Sequence, residues 1–382
     1  MLPPPSATTN QHQEQTVAVI GGGVIGVSTA RHLAQAGARV VLVTEGELAS
    51  NASGRSLSWL NSAARRSEDY HRLRMAGIDR YRTLASRHPD ADWLRFDGGL
   101  TWQPHDHGDE LRALHAHEVA IGYDSVLLSA DEVAGRIPGV DPGTIPADGA
   151  IFNPGEGWVD LPSLVDVLVK ELIDLGGEVL TNTGPATVGL AHGRVAEVRT
   201  ARGDRLPVDA ALLATGPNVP QAAAELGFPI PDATPLALLV RTEPVETALR
   251  VVLNTPRVAL RPAPGGTLAV DSDWTTSSIT ASDDGSYGVP EDVITELLAE
   301  ASAVLAGHPV LAPSVAGIGT KPIPGDGEPV LGRLGDVDGL YVAFTHSGAT
   351  LGLIVGELLA REITTGRAHP LLAPFTAARF AP

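Results

Sequence analysis

The chain has 382 residues, with 27 basic and 45 acidic side chains and a formal net charge of −18. That charge argues against nucleic-acid and anionic-membrane partners, which would repel it. There are no cysteines, which excludes disulfides, thiolate zinc sites, iron–sulfur clusters, a cysteine nucleophile and a cysteinyl cofactor link.

Hydrophobic residues make up 43%, near the globular norm, and the length suits two domains or one large one. No run approaches the ~20 apolar residues of a membrane span. Residues 1–15, MLPPPSATTNQHQEQ, lack the apolar core of a secretory signal and read as a disordered tail, so the expected location is the cytoplasm.

Thr16 to Ile20 is a short apolar, β-branched run and predicts a buried strand. Gly21-Gly22-Gly23-Val24-Ile25-Gly26 follows, and a helical pattern runs from Val24 to about Ala36. Gly37 is a natural left-handed cap, and Val40 to Val43 predicts a second buried strand. This β–turn–α–β unit carries GxGxxG at Gly21, Gly23 and Gly26. The first glycine permits a tight turn, the second lets backbone approach a pyrophosphate, and the third lets helix and strand pack closely. The amides at Val24 and Ile25 open the helix, whose positive end suits phosphate. Counting seven from Gly37 reaches Thr44, so Glu45, one residue later, is the expected ribose ligand. NAD or FAD could both sit on this unit.

The next stretch, Ala49 to Trp59, favours FAD. Its small and hydroxyl side chains, with Ser53, Gly54, Arg55 and Ser56 at the centre, would let the chain run alongside a long extended cofactor. It resembles the D-amino-acid oxidase superfamily of flavoproteins, which includes glycine oxidase and sarcosine oxidase. Three later stretches carry the same likeness. Gly149 to Asp160, a helix from about Pro162 to Leu175 and a strand at Gly176 to Leu180 resemble the family's return to the FAD domain, with Ala186 beside the adenine. Val208 to Gly216 is a buried strand ending in Ala214-Thr215-Gly216, like the family's second FAD-contacting turn. Gly319 to Gly332, with DG-x-P-x-x-G, then a strand at Leu340 to Phe344 and the turn Thr345-His346-Ser347-Gly348-Ala349-Thr350, resemble the carboxy-terminal signature. That turn opens a helix to about Ile363, whose amino terminus would face the flavin and stabilise its anionic reduced form.

The resemblance implies an α/β fold. A discontinuous Rossmann-like FAD-binding domain (16–90, 150–225 and 312–370) would carry an inserted α+β substrate domain (91–149 and 226–311) on an antiparallel sheet. Expected strands of the second insertion are Leu236 to Arg241, Arg257 to Arg261 and Thr267 to Asp271. Pro290 is expected to take the first position of a helix running to about Leu305.

The resemblance also implies oxidation of a C–N bond in an amine or amino acid. Hydride would pass from the substrate carbon to flavin N5, the imine would be hydrolysed, and oxygen or another acceptor would take the electrons. In many relatives an arginine before the loop proline holds the substrate carboxylate. Here that position is Lys321, a point charge without arginine's planar fork. Arg261 is the alternative anion partner. Arg55 stands where relatives place residues near the flavin, His346 lies in the signature itself, and Trp59 either walls the pocket or packs in the core. His105 and His107 read as a solvated loop and not a metal site. The competing readings are an NAD(P)-dependent dehydrogenase using only the first unit, and a non-catalytic flavin scaffold that binds partners.

Overall fold

The computed structural model describes residues 15–282 and 286–381. The expected tail up to residue 14 lies outside the described residues.

Thr16–Ile20 forms β1, and its alternate side chains enter two different cores. Val17 and Val19 face helices, while Ala18 and Ile20 face the opposite side of the sheet. A strand buried on both faces must be apolar throughout, which is why this run does not alternate. The helix α1, Val24–Gln35, and the strand β2, Arg39–Val43, complete the unit, with β2 parallel to β1. Glu178–Leu180 extends the sheet beyond β2. Ala210–Leu213, Leu340–Phe344 and Val330–Arg333 extend it beyond β1, the last pairing antiparallel.

The long final helix, Gly348–Thr365, packs on α1 through small residues. A Cβ at Gly356 would lie 2.2 Å from Ser28 Oγ, so the two helices meet nearly backbone to backbone. A 20-residue helix, α2 (Glu68–Arg87), crosses the start of that final helix. Gly77 makes the approach possible, since a Cβ there would sit 2.2 Å from Thr350 O.

An eight-stranded sheet forms the roof. Its order is Pro313–Thr320, Leu236–Thr242, Thr267–Asp271, Ala259–Ala263, Val252–Asn254, Gly99–Thr101, Ala150–Asn153 and Val126–Leu128. Leu238, Val240, Leu268 and Val270 pack with Leu297, Leu298 and Ala301 of the helix Glu291–Ala303, giving this sheet its own core. The roof is antiparallel except where Val252–Asn254 runs parallel to Gly99–Thr101. The expected boundaries shift at two places. Ala150–Asn153 and Pro313–Thr320, assigned from sequence to the FAD domain, pair within the roof. Pro290 is the cap residue and Glu291 the first helical one, so the proline sits one place earlier than expected. No helix among the described residues is long and apolar enough to cross a membrane.

Candidate active site

The glycine turn is drawn tight against two neighbours. Gly21 has φ +130°, and a Cβ there would lie 2.2 Å from Ala214 O. A Cβ at Gly26 would lie 2.0 Å from Gly21 O, so Gly26 packs beneath the turn and does not line the cleft. Gly54 is similarly internal, with Ala49 O 2.3 Å from its missing Cβ. The Ser53 loop crosses the start of α1, and Val24 N–H donates to Ser53 Oγ at 3.0 Å.

A cleft of about 740 Å³ runs from this turn. Gly21, Gly23, Val24 and Ile25 form its floor, and Glu45 stands exposed at its rim. Ala186, Thr215 and Gly216 line another wall, and Ser53, Arg55 and Gly348 lead out of it. Thr215 Oγ1 is buried with no hydrogen-bond partner among the described residues. A buried hydroxyl without a protein partner at a cleft is suited to bonding a group that enters the cleft.

A second cavity of about 290 Å³ shares Val24, Ser53, Arg55 and Gly348 with the cleft, so the two are continuous. Ser56, Trp59, Lys321, His346, Ser347, Ala349 and Thr350 line it, as does Asp271 of the roof. Thr350 Oγ1 donates to Trp59 O at 3.2 Å, fixing the loop to the final helix. The His346 ring opens onto the cavity, yet the crowding walls push it down to about 4, helped by Lys321, Arg74 and Arg66. Burial pushes Asp271 up to about 6, against the pull of Lys321.

Behind Trp59 lies Glu156, fully buried. Trp59 Nε1 donates to its Oε2 at 2.7 Å, and the Tyr123 hydroxyl donates to its other oxygen. Burial pushes Glu156 up to about 8 against these two donors, with Glu118 adding to the rise.

Two further expected residues, Arg261 and Gly332, lie away from both cavities. Arg261 is 1% exposed and lines neither cavity. Its Nε donates to Leu57 O, its Nη1 to Pro262 O at 2.8 Å, and its Nη2 sits 3.7 Å from Asp160. The guanidinium lies over the Trp158 ring at 4.8 Å. It braces the roof to the loop beneath it. Gly332, at φ +100°, faces Glu362 Oε1 and packs its strand on the final helix, away from both cavities. Lys321 does line the cavity, but its Nζ pairs with Asp273 at 3.1 Å. Among the described residues no group of three or more His, Cys, Asp or Glu could hold a metal, and His107 bonds Glu110.

Sequence reasoning missed Asn61, Arg66 and Arg74, which line the second cavity. Arg74 faces it from α2, whose composition is too polar to announce a buried face. The available signal was Tyr70, Leu73, Gly77, Ile78 and Tyr81, spaced three and four apart on one side of that helix.

The family model described as DAO, FAD dependent oxidoreductase, matches residues 16–362. The chain belongs to that family. The match runs far beyond the first unit, which the NAD(P) reading cannot accommodate. The chain is 29% identical to the glycine oxidase of Pseudomonas aeruginosa over 376 residues, 94% of this chain and 97% of that protein. It is 26% identical to the uncharacterized oxidoreductase YurR of Bacillus subtilis over 378 residues, again 94% and 97%. Among solved structures it shares its fold with glycine oxidase from Geobacillus kaustophilus, with TM-score 0.80, 21% identity, and 96% and 99% of the chains covered. The L-amino acid deaminase of Proteus myxofaciens aligns with TM-score 0.82, 18% identity, and 97% and 94% covered. The family is FAD dependent, and the glycine cradle and the unpaired Thr215 hydroxyl fit such a dinucleotide.

Proposed function

We propose that the protein oxidises a C–N bond in a small amino acid, using bound FAD. One observation carries this reading. The small cavity that continues the cleft is lined by Arg55, Arg66, Arg74 and Lys321 against the single carboxylate of Asp271. Such a chamber suits a small molecule carrying an anionic group. The glycine oxidases and the amino acid deaminase among the relatives act on molecules of that kind by name.

FAD supplies, when bound, an acceptor for the hydride leaving the substrate carbon, and water then hydrolyses the imine. The protein supplies orientation and electrostatics. Backbone at Gly21, Gly23, Val24 and Ile25 would hold the pyrophosphate, and Glu45 the ribose. Ser53, Arg55 and Ser56 would follow the cofactor's length, with Ala186, Thr215 and Gly216 opposite them. Ser347, Gly348, Ala349 and Thr350 open the final helix, whose positive end would favour an anionic ring system. His346, neutral at physiological pH, would offer a hydrogen bond without adding charge. Trp59 would wall the substrate chamber.

The test is anaerobic mixing of the FAD-loaded protein with D-, L- and N-methyl amino acids and with simple amines, following the flavin absorbance. Bleaching by carboxylate-bearing amines supports the reading. Bleaching by dithionite but by none of the panel refutes it.

A further inference from the structure

Among the described residues three cations of the substrate cavity make no ion pair; Arg55 stands exposed to water, but Arg66 and Arg74 are drawn into the wall. Arg74 is 3% exposed and donates only to neutral acceptors. Its Nε reaches Asn61 O at 2.9 Å, its Nη2 reaches Asn61 Oδ1 at 2.8 Å, and its Nη1 reaches Ser347 Oγ. A guanidinium carries five N–H donors, so two are left over. Arg66 is half-buried, gives its Nε to Ala63 O at 3.2 Å and makes no ion pair among the described residues. Both guanidiniums approach the one Tyr70 ring, 5.4 and 5.5 Å from its centroid, and burial together with the Arg74 charge pushes Arg66 down to about 10. By contrast, Lys321 is answered by Asp273, and Arg241 and Arg261 by Asp160. A buried charge without a counter-charge is strongly unfavourable unless something completes it.

We propose that Arg74 and Arg66 form the carboxylate clamp of this cavity, taking the anion that Lys321 was expected to hold. The naming of that anion as the substrate's carboxylate rests on the amino-acid oxidation reading. The clamp lies where α2 crosses the start of the final helix, so the helix's positive end adds to the two guanidiniums. Arginine's planar fork binds a carboxylate through two parallel bonds, which a lysine cannot match. The clamp therefore orients the substrate as well as attracting it. Amines without a carboxylate are poor substrates.

The test uses the FAD-loaded protein and acetate as the probe, read by perturbation of the flavin absorbance. Arg66→Ala and Arg74→Lys should each weaken acetate binding about 10- to 100-fold, the loss expected for charge-assisted bonds. Arg65→Ala, a neighbouring cation that lines neither cavity, should leave it unchanged. With an amino acid that bleaches the flavin, the same two variants should raise KM while the limiting reduction rate changes little. Arg66 is half-exposed, so its variant decides the matter if Arg74→Lys does not fold. Wild-type acetate affinity in both variants overturns the clamp. So does a larger loss in Lys321→Ala, or the absence of acetate binding to the unsubstituted protein. Failure of the oxidation reading is seen separately, as an unsubstituted protein that no amino acid bleaches, while the acetate titration still decides the clamp.

Discussion

Replacing Glu156 by glutamine should make stability less dependent on pH. The carboxyl is pushed from its ordinary 4.5 up to about 8, chiefly by burial. Below pH 4.5 folded and unfolded chains both hold the proton. Between 4.5 and 8 only the folded chain holds it, so raising the pH favours unfolding. Each pH unit in that window removes about 1.4 kcal/mol, and the whole window on the order of 4 kcal/mol. Glutamine keeps the shape and cannot ionise. Its carbonyl can accept from Trp59 and its amide can donate to the Tyr123 oxygen. The assay is urea unfolding of both FAD-loaded proteins at pH 5, 6, 7 and 8 with free FAD held constant. The variant should gain on the wild type steadily across the series. A constant difference would mean that Glu156 titrates at its ordinary value in the folded protein, which would refute the reasoning.

Gly23→Val should yield folded protein without flavin, because the new side chain enters the cradle beside Ser53 Oγ, 3.2 Å from its Cβ. Full flavin per chain, measured by absorbance after denaturation, would contradict it. Arg261→Ala should lower stability by about 2–4 kcal/mol, from the cavity left beneath Trp158 and the Leu57 and Pro262 carbonyls left without their donor, while Asp160 keeps Arg241. A raised KM with an unchanged melting temperature would instead return Arg261 to substrate binding. Since His346 is pushed down to about 4, the reduction rates of wild type and His346→Asn should run parallel between pH 5.5 and 8. A limb near pH 6.5 that disappears in the variant would show a protonatable ring.

The unit from Thr16 to Val43 was legible because its apolar residues follow strand and helix periods and its glycines sit where only glycine fits. The stretch from Gly319 to Thr350 was legible for the same reason, since turn residues mark local geometry. The roof was harder to read. Ala150–Asn153 and Pro313–Thr320 have apolar patterns that suit either sheet, and only partners distant in sequence decide between them. Arg261 was read as an alternative anion partner because it lies on a strand of the expected substrate sheet. It does face inward, but toward Asp160 and the Leu57 carbonyl, which nothing local to it could announce. Arg74 stayed hidden because α2 wears a charged exterior, with Arg72, Asp79 and Arg80 among its exposed or half-buried residues.

The single parallel contact in the roof has a consequence for assembly. Gly99–Thr101 lies in the first expected insertion and Val252–Asn254 in the second, and the two strands are direct neighbours. Neither insertion can finish the cover over the chamber alone. During synthesis the earlier strand must wait with an open edge until the later one emerges, a non-local pairing of the kind that slows folding and invites association with other chains. Exchanging one insertion with that of a relative should therefore fail unless the other travels with it.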